Sequence, residues 1–590
     1  MPPALFFVEV GYFDGPPDVY QLPFTISTGV DADEVTTHHP DSVVTSFASS
    51  TGLAIVHDAT TREEFRQALL TLIENNRSLP LSTVFTPNHG IGALGASEFF
   101  EAEGSRVEGP RGKLQTASHT QKVGAKGSYV DASAEHPPVI PVAPKPLNAQ
   151  PGEAAGGAPS DQVIKIATAQ KIPPGESPAA SDIAAQGGRL EARGSNALAE
   201  MLPSQPLPSR IGSAEQSNTS IHYGDRLILK FFRRLQPGEN PDVEIGRFLT
   251  EVAHFPRVAP FLGEISITPP AGERTTVAML QGLVASDGDG WQWFLRELRG
   301  LFERVASLSP PADSPTASFL TGPITVPESL EPARKSLEAA TLLGRRTAEM
   351  HLALSGRTDY PAFAPEPFTA EDLARDARRI EAQIASALGA LKSRLSTVDD
   401  STSDAAGLLL SKRLELISQG RALTATPASG QRIRIHGDYH LGQTLRTGED
   451  STADFVLLDF EGEPLRSLEE RRGKQSPLRD VAGMIRSFSY VAQAALNDFL
   501  GSDQDGTTSR DREVLAAWAR AWERFASAGF LWTYRESIAP NQLLLPHPRQ
   551  SQELLRAYLL EKALYELTYE LNHRPAWLRI PIAGILSLQK

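Results

Sequence analysis

Two short runs constrain this chain more than anything else in it: Arg434-Ile435-His436-Gly437-Asp438-Tyr439-His440-Leu441-Gly442-Gln443 and Val456-Leu457-Leu458-Asp459-Phe460-Glu461-Gly462-Glu463-Pro464. A β-prone stretch delivers Asp438 on a turn, the amide Gln443 follows five residues later, and a second apolar stretch delivers Asp459. Phosphoryl transfer needs parts of this kind. One carboxylate accepts the proton of the attacking hydroxyl, and hard oxygen ligands hold Mg²⁺ on the nucleotide phosphates. Asp438 is therefore the candidate catalytic base, and Gln443 and Asp459 are candidate metal ligands. Glu461, two residues beyond Asp459, is placed to bind a second ion or a sugar hydroxyl. Each fragment alone reads as a capped turn or a buried strand end, since Gly and Asp dominate turns for local reasons. Their order, together with a Lys/Glu pair upstream, points to a phosphotransferase.

Protein kinases use the same parts: an Asp, an Asn five residues later, and the Asp of a DFG triplet. HGDYHLGQ and LLDFEGEP resemble the catalytic and metal-binding motifs of the aminoglycoside-phosphotransferase-like kinases, and within them those of the bacterial maltokinases. The superfamily motif usually ends in Asn; Gln443 is the form that maltokinases carry. The resemblance covers the N-terminal segment to about residue 98 and everything from about residue 212 onward. It implies an α+β, bilobal protein-kinase-like fold with a β-rich N-lobe, a mostly helical C-lobe and an extra N-terminal cap subdomain. It also implies ATP and Mg²⁺ as cofactors and maltose as acceptor. The product would be maltose 1-phosphate, feeding α-glucan synthesis from trehalose, with a possible association with trehalose synthase. Two alternatives stand beside it: a kinase for another sugar, such as the amino sugar glucosamine, and a non-catalytic regulatory module associated with trehalose synthase.

At 590 residues the chain exceeds one ordinary domain. Composition marks off a Pro/Ala/Gly-rich insertion at 102–209, and the resemblance implies a cap at 1–101, an ATP-binding N-lobe at 210–288 and a C-lobe at 289–590 that carries the catalytic and sugar sites. The insertion has too little apolar surface to offset the entropy of ordering and reads as disordered. The absence of cysteine excludes disulfides, thiolate zinc sites and thiol catalysis. A net charge of -14 argues against nucleic acid as a partner. No stretch approaches the roughly 18 apolar residues of a membrane span. Met1-Pro2-Pro3-Ala4 does not begin a leader, so a soluble cytoplasmic protein is expected.

Along the chain, Leu5 to Val10 and Val19 to Phe24 read as strands, followed by another at Gly52 to Asp58 and a helix from about Arg62 to Asn75. Ser217, Asn218 and Thr219 lie in a polar loop between two β-prone runs, where a kinase hairpin covers phosphates. Arg226 to Phe232 is a strand carrying Lys230, the expected partner of the α/β-phosphates, and Glu244 on the next helix is expected to anchor that lysine. The apolar run through Gln281 and Leu283 is placed as the hinge whose backbone bonds adenine. His436 and Asp480 are expected to brace the catalytic loop, and His351 to be structural. On the helix ending at Pro575, Lys562, Tyr565, Glu566 and Tyr569 recur at helical spacing. Aromatic faces, carboxylates and arginines suit a sugar, so Tyr565, Glu566, Glu570 and Arg574 are the candidate sugar contacts.

Overall fold

The computed structural model describes residues 3–11, 18–50, 52–81, 188–212, 218–269, 273–311, 315, 317–319, 322–464, 466–502 and 509–588, and these fall into two compact units. In the first, β1 (Ala4–Val10), β2 (Asp18–Thr28), β3 (Val43–Ser49) and β4 (Gly52–Asp58) pair antiparallel in the order β1-β2-β4-β3. Helix α1 (Val30–His38) lies between β2 and β3 in the chain, and its Ala32 and Val35 pack on Ile55. The buried face of β2 is partly polar, and the Ser27 hydroxyl meets His57 Nε2 at 2.9 Å. Helix α2 (Glu63–Glu74) runs out of this unit, and residues from Gln67 to Pro80 belong to the second.

The second unit has a seven-stranded antiparallel sheet. Its strands are β5 (Ser78–Pro80), β6 (Arg189–Gly194), β7 (Ser209–Ile211), β8 (Asn218–Tyr223), β9 (Leu227–Phe232), β10 (Phe261–Thr268) and β11 (Thr275–Gly282), in the order β5-β6-β10-β11-β9-β8-β7. Strand β6 corrects the composition-based boundary at 209. Leu190 and Ala192 point inward between exposed charges, a half-buried strand pattern, and the strand pairs with both β5 and β10. The sheet lobe therefore takes in residues from 188 onward, as well as the cap's last strand at 78–80. The rest of the expected insertion, 102–187, lies outside the described residues.

Period-two alternation buries Leu227, Leu229 and Phe231 on one face of β9 and turns Lys230 to the other. Helix α3 (Pro241–Arg247) follows, with Pro241 in its first turn and the Asn240 side chain accepting from the Asp242 N–H at 2.8 Å. From α4 (Gly290–Val305) onward the chain is mainly helical, through α5 (Arg334–Ser355), α6 (Ala370–Ser393), α7 (Leu478–Ser502), α8 (Ser509–Ile538), α9 (Pro548–His573) and α10 (Arg579–Ser587). Phe294, Phe488, Trp522 and Phe530 form an edge-to-face aromatic cluster at centroid separations of 5.7–6.0 Å. Gly344 lets α5 approach α8, because a Cβ there would collide with the Phe530 carbonyl. A short hairpin of β12 (Thr444–Thr447) and β13 (Asp454–Leu457) joins the two motif runs. A β-sheet lobe bearing Lys230 and α3, followed by a helical lobe bearing the motif loops, is the bilobal kinase-type fold. Among the described residues no helix is long and apolar enough to cross a membrane.

Candidate active site

The loop carrying Asp438 is fixed from below by Asp480 in the first turn of α7. Asp480 accepts the backbone N–H of His436 and that of Gly437, each at 2.9 Å, and meets His351 Nε2 at 2.9 Å. The other ring nitrogen of His351 meets the Tyr534 hydroxyl at 3.0 Å, so His351 acts through Asp480. His436 Nε2 donates to the Leu458 carbonyl at 2.8 Å and so ties the first motif run to the second. Gly437 sits at φ 85°, and Gly483 lets α7 lie against the loop, since a Cβ there would stand 2.5 Å from the Tyr439 carbonyl oxygen. Burial by itself would raise the Asp480 carboxyl. The His351 ring and the donated N–H groups outweigh burial and hold it below the usual carboxylate value. A depressed native pKa contributes stability that is present above about pH 4 and lost as pH falls through the native value. Asp480→Asn is therefore expected to destabilise the fold by about 1–3 kcal/mol at neutral pH, with the gap from wild type narrowing toward pH 3. Thermal unfolding of both proteins across that range checks it.

At the sheet-lobe end, Lys230 Nζ lies 2.7 Å from Asp242 Oδ2 and 2.8 Å from Asp459 Oδ1. Burial alone would pull the lysine down, but these two carboxylates push it well above its usual value and keep it charged. Asp459 Oδ2 accepts from Gln443 Nε2 at 2.9 Å, and Asp459 itself is held at φ 64°, uncommon for a non-glycine residue. Candidate ligand atoms of Asp242, Asp459 and Glu461 all lie within 4.8 Å of one another. Burial, and then the charge of Asp459, push the Glu461 carboxyl up to about 8. Three carboxylates beside an amide suit a hard divalent cation such as Mg²⁺.

Glu244 does not anchor Lys230, which corrects the expectation from sequence. At 3.6 residues per turn it points about 200° around α3 from Asp242. It is paired there with Arg434 Nη1 at 2.7 Å and with Arg472 at 3.0 and 3.1 Å, and Asp242 takes the lysine instead. Asp242 also accepts the Phe460 N–H at 2.8 Å. Asn218 Nδ2 reaches Glu461 at 3.4 Å, while the Thr219 hydroxyl accepts from Arg233 at 2.7 Å. Ser217 lies outside the described residues. Gln281 is buried in β11. The Leu283 N–H does not remain open for a base, because β9–β11 pairing continues one step further and gives it to the Arg226 carbonyl at 2.7 Å. The Gly282 N–H likewise goes to Pro260, at 2.9 Å.

At the other end of the loop, Asp438 Oδ1 stands 3.0 Å from Lys562 Nζ, which is also 3.0 Å from Glu463 Oε1. Burial would raise Asp438, but Lys562 and then His440 outweigh it and keep the carboxylate ionised. Helix α9 presents Tyr558, Glu561, Lys562 and Tyr565 to a polar cleft that also includes Glu463, Arg466 and Arg479. The i, i+3, i+4, i+7 spacing of those four residues was the available signal for this face. Of the expected sugar contacts only Tyr565 lines the cleft. Glu566, Glu570 and Arg574 are committed elsewhere: Glu566 is clamped by Arg486 at 2.9 and 2.7 Å, and Glu570 pairs with Arg574 at 2.7 Å and with the Tyr490 hydroxyl at 3.2 Å. Their side of α9 faces α7, where buried carboxylates need such partners.

No family model matches the chain. A glucosamine kinase from Streptacidiphilus jiangxiensis is 26% identical over 391 residues, 63% of this chain and 72% of that protein. A glucosamine kinase from Mycolicibacterium smegmatis is 25% identical over 381 residues, covering 64% and 78%. A solved structure of a glucosamine kinase in complex with glucosamine, ADP and inorganic phosphate aligns with a TM-score of 0.48 at 22% identity, covering 68% of this chain and 81% of that one. Over nearly two thirds of its length, then, the chain is similar in sequence to two curated sugar kinases.

Proposed function

We propose that this chain transfers the γ-phosphoryl group of ATP to a hydroxyl of a small sugar, with an amino sugar of the glucosamine type as acceptor. The observation that carries the reading is a single braced loop joining two ends of different chemistry. At one end Lys230, Asp459 and Gln443 converge; at the other Asp438 pairs with Lys562, which lines a polar cleft. Lys230, held by Asp242, neutralises phosphate charge. Asp459, Glu461, Asp242 and the Gln443 amide would hold Mg²⁺, which would shield the charge of the phosphoryl group. Asp438 orients the acceptor hydroxyl and takes its proton as the oxygen attacks in line, with ADP departing.

Similarity to two glucosamine kinases favours an amino sugar. A second reading keeps maltose as acceptor, with maltose 1-phosphate as product and a link to trehalose synthase. It is favoured by the motif form ending in Gln443 and by the resemblance of HGDYHLGQ and LLDFEGEP to maltokinases. ADP release measured with glucosamine, N-acetylglucosamine, glucose and maltose separates the two. Glucosamine is expected to give the highest kcat/KM. A preference for maltose would reverse the acceptor and leave the phosphotransfer reading standing, and silence with every sugar would remove both.

A further inference from the structure

Two buried carboxylates, one of them lining the polar cleft, converge on one point, and the point is occupied by the protein's own ammonium. Asp438 Oδ1 and Glu463 Oε1 are each 3.0 Å from Lys562 Nζ, with side-chain exposures of 10%, 9% and 16%. The other carboxylates of this cluster are held differently. Glu561 is gripped by Arg379 Nε at 2.7 Å and Arg479 Nη1 at 2.7 Å. Asp376 takes Arg379 at 2.6 Å, Arg479 at 3.1 Å and the Tyr558 hydroxyl at 2.8 Å. The second oxygen of Glu463 takes Arg466 at 2.6 Å. Those are planar guanidinium forks that satisfy several oxygens at once and are costly to open. Lys562 is a compact point charge on a flexible four-carbon stem lying over the Tyr565 ring, 4.9 Å from its centroid, so its contact is the exchangeable one.

Resting on the amino-sugar reading above, we propose that Lys562 is a specificity-determining latch: its ammonium fills the Asp438–Glu463 cradle in the free protein and is exchanged for the ammonium of the acceptor. The exchange preserves charge balance, because one cation leaves as an identical one arrives, and it seats the acceptor against Asp438. A neutral sugar brings no replacement cation. It leaves Lys562 in the cradle and so is not seated against Asp438. The lysine thus excludes neutral sugars and taxes amino sugars by the work of displacing it.

Calorimetric titration of glucosamine and of glucose into wild type, Lys562→Met and Lys562→Arg tests this, at a pH where the sugar amine is protonated. Lys562→Met removes the resident cation and is expected to tighten glucosamine binding by on the order of tenfold, with no comparable gain for glucose. Lys562→Arg, whose fork grips both carboxylates, is expected to weaken glucosamine binding, and it carries the test if the methionine variant does not fold. Glucosamine affinity unchanged or weaker in Lys562→Met, or unchanged in Lys562→Arg, overturns the exchange while leaving the amino-sugar reading intact. If glucosamine binds none of the three proteins while maltose binds wild type, both the latch and the amino-sugar reading fall.

Discussion

Asp438→Asn is expected to cut phosphotransfer by roughly 10² to 10⁴, the range for losing a positioned general base. Binding of Mg-ADP should persist. The physical reason is the division of labour along one loop. Asp438 contacts Lys562, whereas Lys230, Asp242, Asp459 and Gln443 form a separate hydrogen-bonded group. Asparagine keeps the shape and one oxygen but cannot accept the proton. Lys562 retains Glu463, so the variant should fold. Turnover in a coupled assay and ADP binding by calorimetry check the two halves. Equal loss of both would mean that the loop had collapsed and that the base assignment was not being read.

The second large effect separates two acids that lie two residues apart. Asp242→Asn loosens Lys230 and the Phe460 N–H together and is expected to lower turnover by about 10²-fold, as small misplacements at a reacting centre do. Glu244→Ala acts on stability instead. It strips Arg434, whose side chain is 2% exposed, of its carboxylate partner, and breaking a buried pair from one side costs about 3–5 kcal/mol. The expected signature is a large drop in unfolding midpoint for Glu244→Ala and a large drop in turnover for Asp242→Asn. Had Glu244 held the ATP lysine, the two variants would trade places.

That contrast marks where sequence reading succeeds and where it stops. That Gln443 and Asp459 meet was legible because they lie close to short turns between β-prone runs, where spacing along the chain nearly determines spacing in space. The choice between Asp242 and Glu244 depends on which side of a helix meets a strand from elsewhere, and two residues are enough to reverse it. Helix α9 posed the same problem. It carries polar residues on several faces, and the stripe through Glu566 and Glu570 was as plausible as the one through Glu561 and Lys562 until Arg486 and Tyr490 were seen to claim the former. At the hinge, the composition of the run through Leu283 carried no sign that the Leu283 N–H would be spent on Arg226. Strand β6 was hidden by its neighbours: six residues of ordinary alternation sit at the end of a long Pro/Ala/Gly-rich stretch, and only pairing with β5 and β10 brings them into the sheet.

The most direct measurement is ³¹P NMR of the wild-type protein with Mg-ATP and glucosamine, run beside Asp438→Asn. A new phosphomonoester resonance that grows in step with ADP in wild type and is absent from the variant is the expected result. ATP left intact with glucosamine, maltose and the other sugars alike, or ATP consumed equally by the variant, would contradict a sugar phosphotransferase in which Asp438 is the base.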